Sequence, residues 1–284
     1  MDFFWHMLFI TANWVPLACA YTLMLGRGRI LNWGPIGVGL VAAYAIFIVQ
    51  TATGSYVLGA VAGLALTAAV SLLYAWLALR LRDDAFGVMA IAVHLGLIAL
   101  VLNWPSLTRG ALGIPRIARM PGLESTPAFA LLALVIAVVW VLALLRIDRG
   151  AFGRNLQAMG EQEWNATAIG VSRTRVYVIV FLLLGLALWT DNLLFPQYLR
   201  LLHPNDYQFP VFVFLITIVV AGRPGSVRGA ALATALLVPL REGLRFLPFA
   251  PGALGPLRLI LFGVILFAAV WWRRETLFPV QRSV

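Results

Sequence analysis

Apolar runs of about twenty residues recur along this chain, separated by short stretches in which arginine, glycine and proline collect. A hydrocarbon core ~30 Å thick needs roughly 20 apolar residues of helix to cross it, so each run predicts a transmembrane helix. The runs are Phe3–Leu25, Ile30–Val49, Tyr56–Leu79, Phe86–Trp104, Pro127–Leu145, Val176–Phe195, Phe209–Ala221, Ala230–Leu247 and Leu257–Trp272. The Phe209–Ala221 run is short for a span and suits a re-entrant segment. The Ala230–Leu247 run carries Pro239, Arg241, Glu242 and Arg245, so its second half reads as amphipathic or interfacial. The pattern predicts an all-α polytopic transmembrane bundle of about 8–10 spans, a single membrane domain over residues 1–284. The short alternating segments of a membrane β-barrel are absent.

Composition agrees with the pattern. Hydrophobic residues make up 62% of the 284 and charged residues 11%, a balance foreign to soluble domains. The net charge of +10 does not point to nucleic acid, because the arginines sit at the ends of apolar runs rather than in a patch. Their placement gives an orientation. With the N-terminus outside, the inner connections hold Arg27, Arg29, Arg80, Arg82, Arg146, Arg149, Arg154, Arg173, Arg175, Arg223 and Arg228, and the tail adds Arg273, Arg274 and Arg282. The outer connections hold only Arg109, Arg116, Arg119 and Arg200. Basic loops stay in the cytoplasm, so the reading is N-out, C-in. The Phe3–Leu25 run lacks a basic leader and reads as a retained span.

One stretch could not sit in lipid. Residues 147–176 carry Asp148, Arg149, Arg154, Glu161, Glu163, Arg173 and Arg175 between two strongly apolar runs. Arg154 to Ile169 contains no proline, and Gly170 stands where a helix C′ glycine belongs. Gly160 predicts a split into two short helices, since glycine costs ~1 kcal/mol relative to alanine inside a helix. Arg154, Ala158 and Glu161 share one face by spacing. Such a helix pair slung between spans is a docking element; a solvated connector is the alternative.

Two further segments share a style, GRGRILNWGPIGVG after the first run and GRPGSVRGAALA before the eighth. Each is a glycine–arginine turn leading into small residues, which permit close helix packing or a broken helix beside a translocation path. Asn32, Gly34, Gly225 and Ser226 are the path candidates they supply. His94, Asp191 and Asn192 join them as polar groups inside apolar runs, where such groups are functional candidates. Asp191 and Glu242 are expected near the interfaces, and His94 as a packed core residue. The proline-rich outer segment 105–127 reads as an irregular exposed connector or a landing surface.

Catalytic signatures are missing. There is no phosphate-binding loop, and His6, His94, His203 and the single Cys19 are too scattered for a metal site. No metal and no cofactor are expected.

The stretch FGRNLQAMGEQEWNATAIGV resembles the cytoplasmic loop of bacterial ATP-binding-cassette importer permeases of the branched-chain amino-acid type, M-type subunit. Gly153, Arg154, Ala158, Glu161, Glu163, Ala166 and Gly170 fit its pattern. LRLRDDAFGVMAIA, LNWPSLTRGALGIP and AGRPGSVRGAALATALL are similar to three more of its segments, in order, so the resemblance covers most of the chain. The departures lie in membrane segments. Ile30 and Asn32 stand where the family usually has Gln and Ser; Ala90 and Leu95 stand where many members carry Thr and Glu; Leu186–Asn192 replaces small residues. They leave the substrate open and the docking loop intact.

The resemblance implies a bacterial inner-membrane subunit that is not itself an enzyme. It implies two cytoplasmic ATP-binding subunits that bind the ATP and magnesium, a second permease as homo- or heterodimer, and an extracytoplasmic solute-binding protein. The cargo would be a branched-chain amino acid or a related small polar solute, moved by alternating access. A stand-alone secondary carrier or channel is the alternative reading, and a membrane enzyme a third.

Overall fold

The computed structural model describes residues 2–243 and 251–272, and they form an all-α bundle. The helices are α1 (Asp2–Thr22), α2 (Pro35–Thr53), α3 (Tyr56–Arg80), α4 (Asp83–Asn103), the one-turn α5 (Pro105–Thr108), α6 (Thr126–Arg149), α7 (Ala151–Glu161), α8 (Glu163–Ala168), α9 (Arg173–Leu199), α10 (Phe209–Ala221), α11 (Val227–Gly243) and α12 (Pro251–Trp272). Arg245 and the end of the predicted eighth run lie outside the described residues, as do Arg273, Arg274 and Arg282.

Among the described residues, α1, α2, α3, α4, α6 and α9 are long and apolar enough to cross a membrane. The remaining predicted runs form shorter pieces. α10 has 13 residues, about 20 Å of helix. α11 has 17, with Pro239 inside it. The apolar part of α12 is Ile260–Trp272.

The long helices divide into a centre and a rim. In α1, 78% of the apolar window is buried, whereas α3 buries 22%. α1 packs on α6, α9 and α11; α2 packs on α3, α4 and α9. The rim helices turn Val57, Val61 and Trp76 of α3, Val88 of α4 and Val135, Val139 and Leu142 of α6 outward. These exposed apolar side chains suit a bilayer, where apolar surface costs nothing. The inner face of α3 is a stripe of small residues, Gly59, Gly63, Thr67 and Ser71, all buried. Four-residue spacing keeps them on one face, so the backbones of α2 and α9 come close.

The connections alternate between two ends. One end carries the α7–α8 hairpin together with the turns after α1, α3 and α10. The opposite end carries the start of α1 and residues 104–125 and 200–208. There the predicted irregular connector is partly ordered. Ile114–Pro115 (β1) pairs antiparallel with Leu201–Leu202 (β2), and Ile114 and Ile117 are buried.

Candidate functional site

The predicted second span does not begin at Ile30. α1 ends in a π-turn, Leu23–Arg27, and residues 28–34 run as non-helical chain into the bundle before α2 starts at Pro35. Backbone without regular hydrogen bonds is tolerated at membrane depth only where protein satisfies it. Here two buried tyrosines do so. Tyr21 donates its hydroxyl to the Asn32 carbonyl at 2.8 Å. Tyr74 donates to the Gly34 carbonyl at 3.1 Å. The Gly34 amide donates to Asn32 Oδ1 at 2.9 Å. Position 34 must be glycine: a Cβ there would lie 2.4 Å from both the Ala90 carbonyl oxygen and the Tyr74 hydroxyl. Tyr74 is six residues before the end of α3, about 9 Å along the axis, which sets the depth of the break.

On the opposite side of this break a cavity of about 330 Å³ opens between α1, α2, α9, α10 and α11. Its wall includes Ile10, Trp14, Leu17, Ile36, Leu188 and Phe214. Its polar groups are His6, Asp191, Asn192, Asn205, Asp206, Tyr207, Arg241 and Glu242. Asp191 is fixed by the Asn13 amide, which donates to its carboxylate. Asn192 receives the Tyr207 hydroxyl at 2.5 Å and donates to the Leu188 carbonyl at 2.8 Å. At the mouth, His6 Nδ1 and the Tyr198 hydroxyl lie 2.8 Å apart. The Arg241 guanidinium stands 4.7 Å over the Phe214 ring. Burial pushes the Asp206 carboxyl above the ordinary carboxylate range, while His203 and Arg241 pull it back. An apolar wall with both signs of charge at one end can hold a small zwitterion.

At the other end the chain after α6 folds back as the α7–α8 hairpin. The break falls at Gln162, which adopts extended backbone between the helices, and not at Gly160. Gly160 stays helical, and its lack of a side chain serves packing: a Cβ would meet the Arg27 carbonyl oxygen at 2.3 Å. α7 buries Gly153, Leu156 and Met159. Arg154 and Glu161 face outward with Ala158 half-buried between them. Arg27 ties the hairpin to α1: its Nη1 donates to Gln157 Oε1 at 2.7 Å and its Nε to Asp148 at 2.8 Å. Glu163 pairs with Arg173 at 2.9 Å, and Glu161 receives Gln157 Nε2 at 2.7 Å. Ala166 is buried, whereas Trp164 is 85% and Ile169 79% exposed. Gly170 ends the hairpin at φ +92°.

The path candidates thus separate into four places. Asp191 and Asn192 line the cavity. Asp191 lies eight residues before the end of α9, ~12 Å along its axis. Asn32 and Gly34 form the break. Gly225 and Ser226 lie at the hairpin end. His94 is buried against Gly37 and neither ring nitrogen has a partner among the described residues. The two glycine–arginine turns touch: the Gly225 amide donates to the Thr22 carbonyl at 3.0 Å, and a Cβ on Gly26 would overlap the Gly225 nitrogen. Asn13, Asp206 and Tyr207 were not singled out from the sequence, and Arg241 was noted only as a mark of an amphipathic or interfacial half-span. Asn13 alone offered a signal, as an amide inside an apolar run.

A family model described as "Branched-chain amino acid transport system / permease component" matches residues 5–270. The chain is 24% identical, over 96% of its own length and 69% of theirs, to two proteins named "High-affinity branched-chain amino acid transport system permease protein LivM". One is from Salmonella typhimurium strain LT2 and one from Escherichia coli strain K12. No solved structure matches it. With these matches spanning nearly the whole bundle, the chain belongs to the family of branched-chain amino-acid transport system permease components, as a multi-pass membrane protein.

Proposed function

We propose that this chain is an inner-membrane permease subunit of an ATP-binding-cassette importer. It works with two cytoplasmic ATP-binding subunits, a second permease and an extracytoplasmic solute-binding protein, and it passes a branched-chain amino acid or related small polar solute. The reading rests on one continuous mechanical link. The hairpin is fastened to the end of α1 through Arg27, Asp148 and Gln157. α1 in turn supplies His6, Ile10, Trp14 and Leu17 to the cavity wall. A push on the hairpin is therefore carried along α1 to the solute cavity, which is what alternating access requires. Exposed Trp164 and Ile169 give the ATP-binding subunits an apolar anchor. The test is Trp164→Arg in the coexpressed complex. Membrane expression should persist, while copurification of the ATP-binding subunits and solute-stimulated hydrolysis are lost. Unchanged copurification and uptake would remove the coupling role.

A second reading, a stand-alone carrier, draws on Asp191, a carboxylate inside the cavity. It requires uptake by the purified chain alone in proteoliposomes under a proton gradient; no uptake without the ATP-binding subunits eliminates it.

A further inference from the structure

A second cavity, of about 430 Å³, opens at the hairpin end, where the π-turn after α1, the last turn of α6, α7 and the start of α11 meet. Arg27, Arg29, Arg149, Arg223 and Arg228 line it against only Asp148 and Glu161. Both carboxylates are already engaged, Asp148 by Arg27 and Glu161 by Gln157. Arg29, Arg149, Arg223 and Arg228 make no ion pair among the described residues and are exposed. Two of them, Arg29 at φ 52° and Arg223 at φ 72°, hold a left-handed backbone that side chains rarely adopt. The contact of the two glycine–arginine turns places both at the same rim. Ser226, Val227 and Arg228 add the amino-terminal turn of α11, whose backbone amides favour an anion.

Ordinary retention of basic loops in the cytoplasm explains arginines at this end. It does not explain five of them around one concave site with spare positive charge. We infer that this cavity binds the phosphate of an anionic phospholipid headgroup from the cytoplasmic leaflet. Arg29, Arg149, Arg223 and Arg228 grip it through charge-assisted hydrogen bonds. The lipid source is favoured over a free anion by position: Leu145, in the apolar last stretch of α6, belongs to the lining. The site lies between the ends of membrane helices, the place where basic pockets take acidic headgroups. A lipid seated there would bridge the hairpin, α1 and α11, and so set how firmly the hairpin is held.

The full chain, delipidated in neutral detergent, is titrated with phosphatidylglycerol, phosphatidylcholine or inorganic phosphate, with retained lipid read by native mass spectrometry. Phosphatidylglycerol should bind and phosphatidylcholine should not. Arg149→Gln with Arg228→Gln should weaken phosphatidylglycerol roughly 10- to 30-fold, given the contribution of each basic side chain near an anionic headgroup. The lysine versions should keep most of the binding. Arg80→Gln with Arg82→Gln, at the same end but outside the cavity, should leave it unchanged. Equal loss in that control, or no loss in the cavity variant, overturns the site. Inorganic phosphate displacing the lipid at comparable concentration overturns the headgroup assignment.

Discussion

Arg27 and Asp148 form a two-pronged ion pair, Nε to Oδ1 at 2.8 Å and Nη2 to Oδ2 at 3.1 Å, which joins the end of α1 to the last turn of α6. The planar guanidinium matches the carboxylate at both oxygens, a geometry lysine cannot copy. The pair is partly exposed, 32% for Arg27 and 13% for Asp148, so it is worth less than a fully buried one. Asp148→Asn should cost about 1–3 kcal/mol of stability and loosen the hairpin. Limited proteolysis between α6 and α7 should speed up while the bundle stays folded. Unchanged cleavage would show that Leu156, Met159 and the Arg27–Gln157 hydrogen bond hold α7 without this pair.

The contact between Gly26 and Gly225 leaves no room for a side chain, since a Cβ on Gly26 would fall 1.8 Å from the Gly225 nitrogen. Gly26→Val should force the two turns apart and cost several kcal/mol, in the range of an overpacked core at ~1–3 kcal/mol or above. The measurable outcome is loss of monodisperse protein in detergent. Gly96→Val, where a Cβ meets nothing within 4 Å, is the matched control and should express normally.

Asp206 gives a pH dependence. Its folded-state carboxyl sits above its unfolded value because burial disfavours the charge. Over the interval between the two values the folded state binds more protons than the unfolded state, so stability falls as pH rises through it. The penalty is absent in acid and fully present above the folded value. Asp206→Asn should therefore raise the melting temperature at neutral pH and lose that advantage as the pH is lowered toward 4, near the ordinary carboxylate value. A constant offset at all pH values would mean that Asp206 acts by packing. Because Asp206 also lines the cavity, the same variant should lower uptake.

Orientation can be read directly. In a Cys19→Ala background, Asn155→Cys on the hairpin should be shielded from an impermeant thiol reagent in intact spheroplasts. Leu112→Cys, 76% exposed at the opposite end, should be labelled. The reverse pattern would invert the bundle and place the hairpin outside.

The helices were legible because lipid imposes one rule along the whole chain: long apolar runs must be helical. The break at residues 28–34 was half legible: the glycine–arginine turn admitted a broken helix, but Ile30, Leu31 and Trp33 are as apolar as the span they precede, so the predicted span began at Ile30. Tertiary hydrogen bonds from Tyr21 and Tyr74, with the local bond from the Gly34 amide to Asn32, make an extended chain cheaper there than another helical turn. The hairpin was visible as the one charged insert, yet its corner was misplaced. Local propensity favours a break at Gly160, but that glycine is spent on close approach to Arg27, and the corner moves to Gln162. The cavity was half legible. Asp191 and Asn192 stood out as polar groups in an apolar run. Asp206 and Tyr207 looked like ordinary loop residues, and Arg241 like the charge of an amphipathic half-span, until α9, α10 and α11 brought them to one rim.

Glu163 and Glu161 separate holding from signalling. Glu163 clasps Arg173 across the corner that joins α8 to α9, and both side chains are partly exposed, 44% and 34%. An ion pair of that kind contributes only ~0.2–1 kcal/mol. Glu163→Ala should leave membrane expression near normal, and the double variant with Arg173→Ala should be no less stable than Arg173→Ala alone, which already loses the Arg173 contact over the Tyr177 ring. What the pair governs is the angle of α8, which presents Trp164 and Ile169. Loss of that angle should lower solute-stimulated ATP hydrolysis by the assembled complex more than it lowers copurification of the ATP-binding subunits. Glu161 is held by Gln157 instead. Glu161→Ala should spare the fold and weaken docking itself if its carboxylate is desolvated there, a loss of ~2–5 kcal/mol for a buried charged contact. Ala158→Arg probes the same surface by steric block and should prevent the ATP-binding subunits from copurifying. Normal transport by all three variants would leave the hairpin as a solvated connector and take away the mechanical basis of coupling.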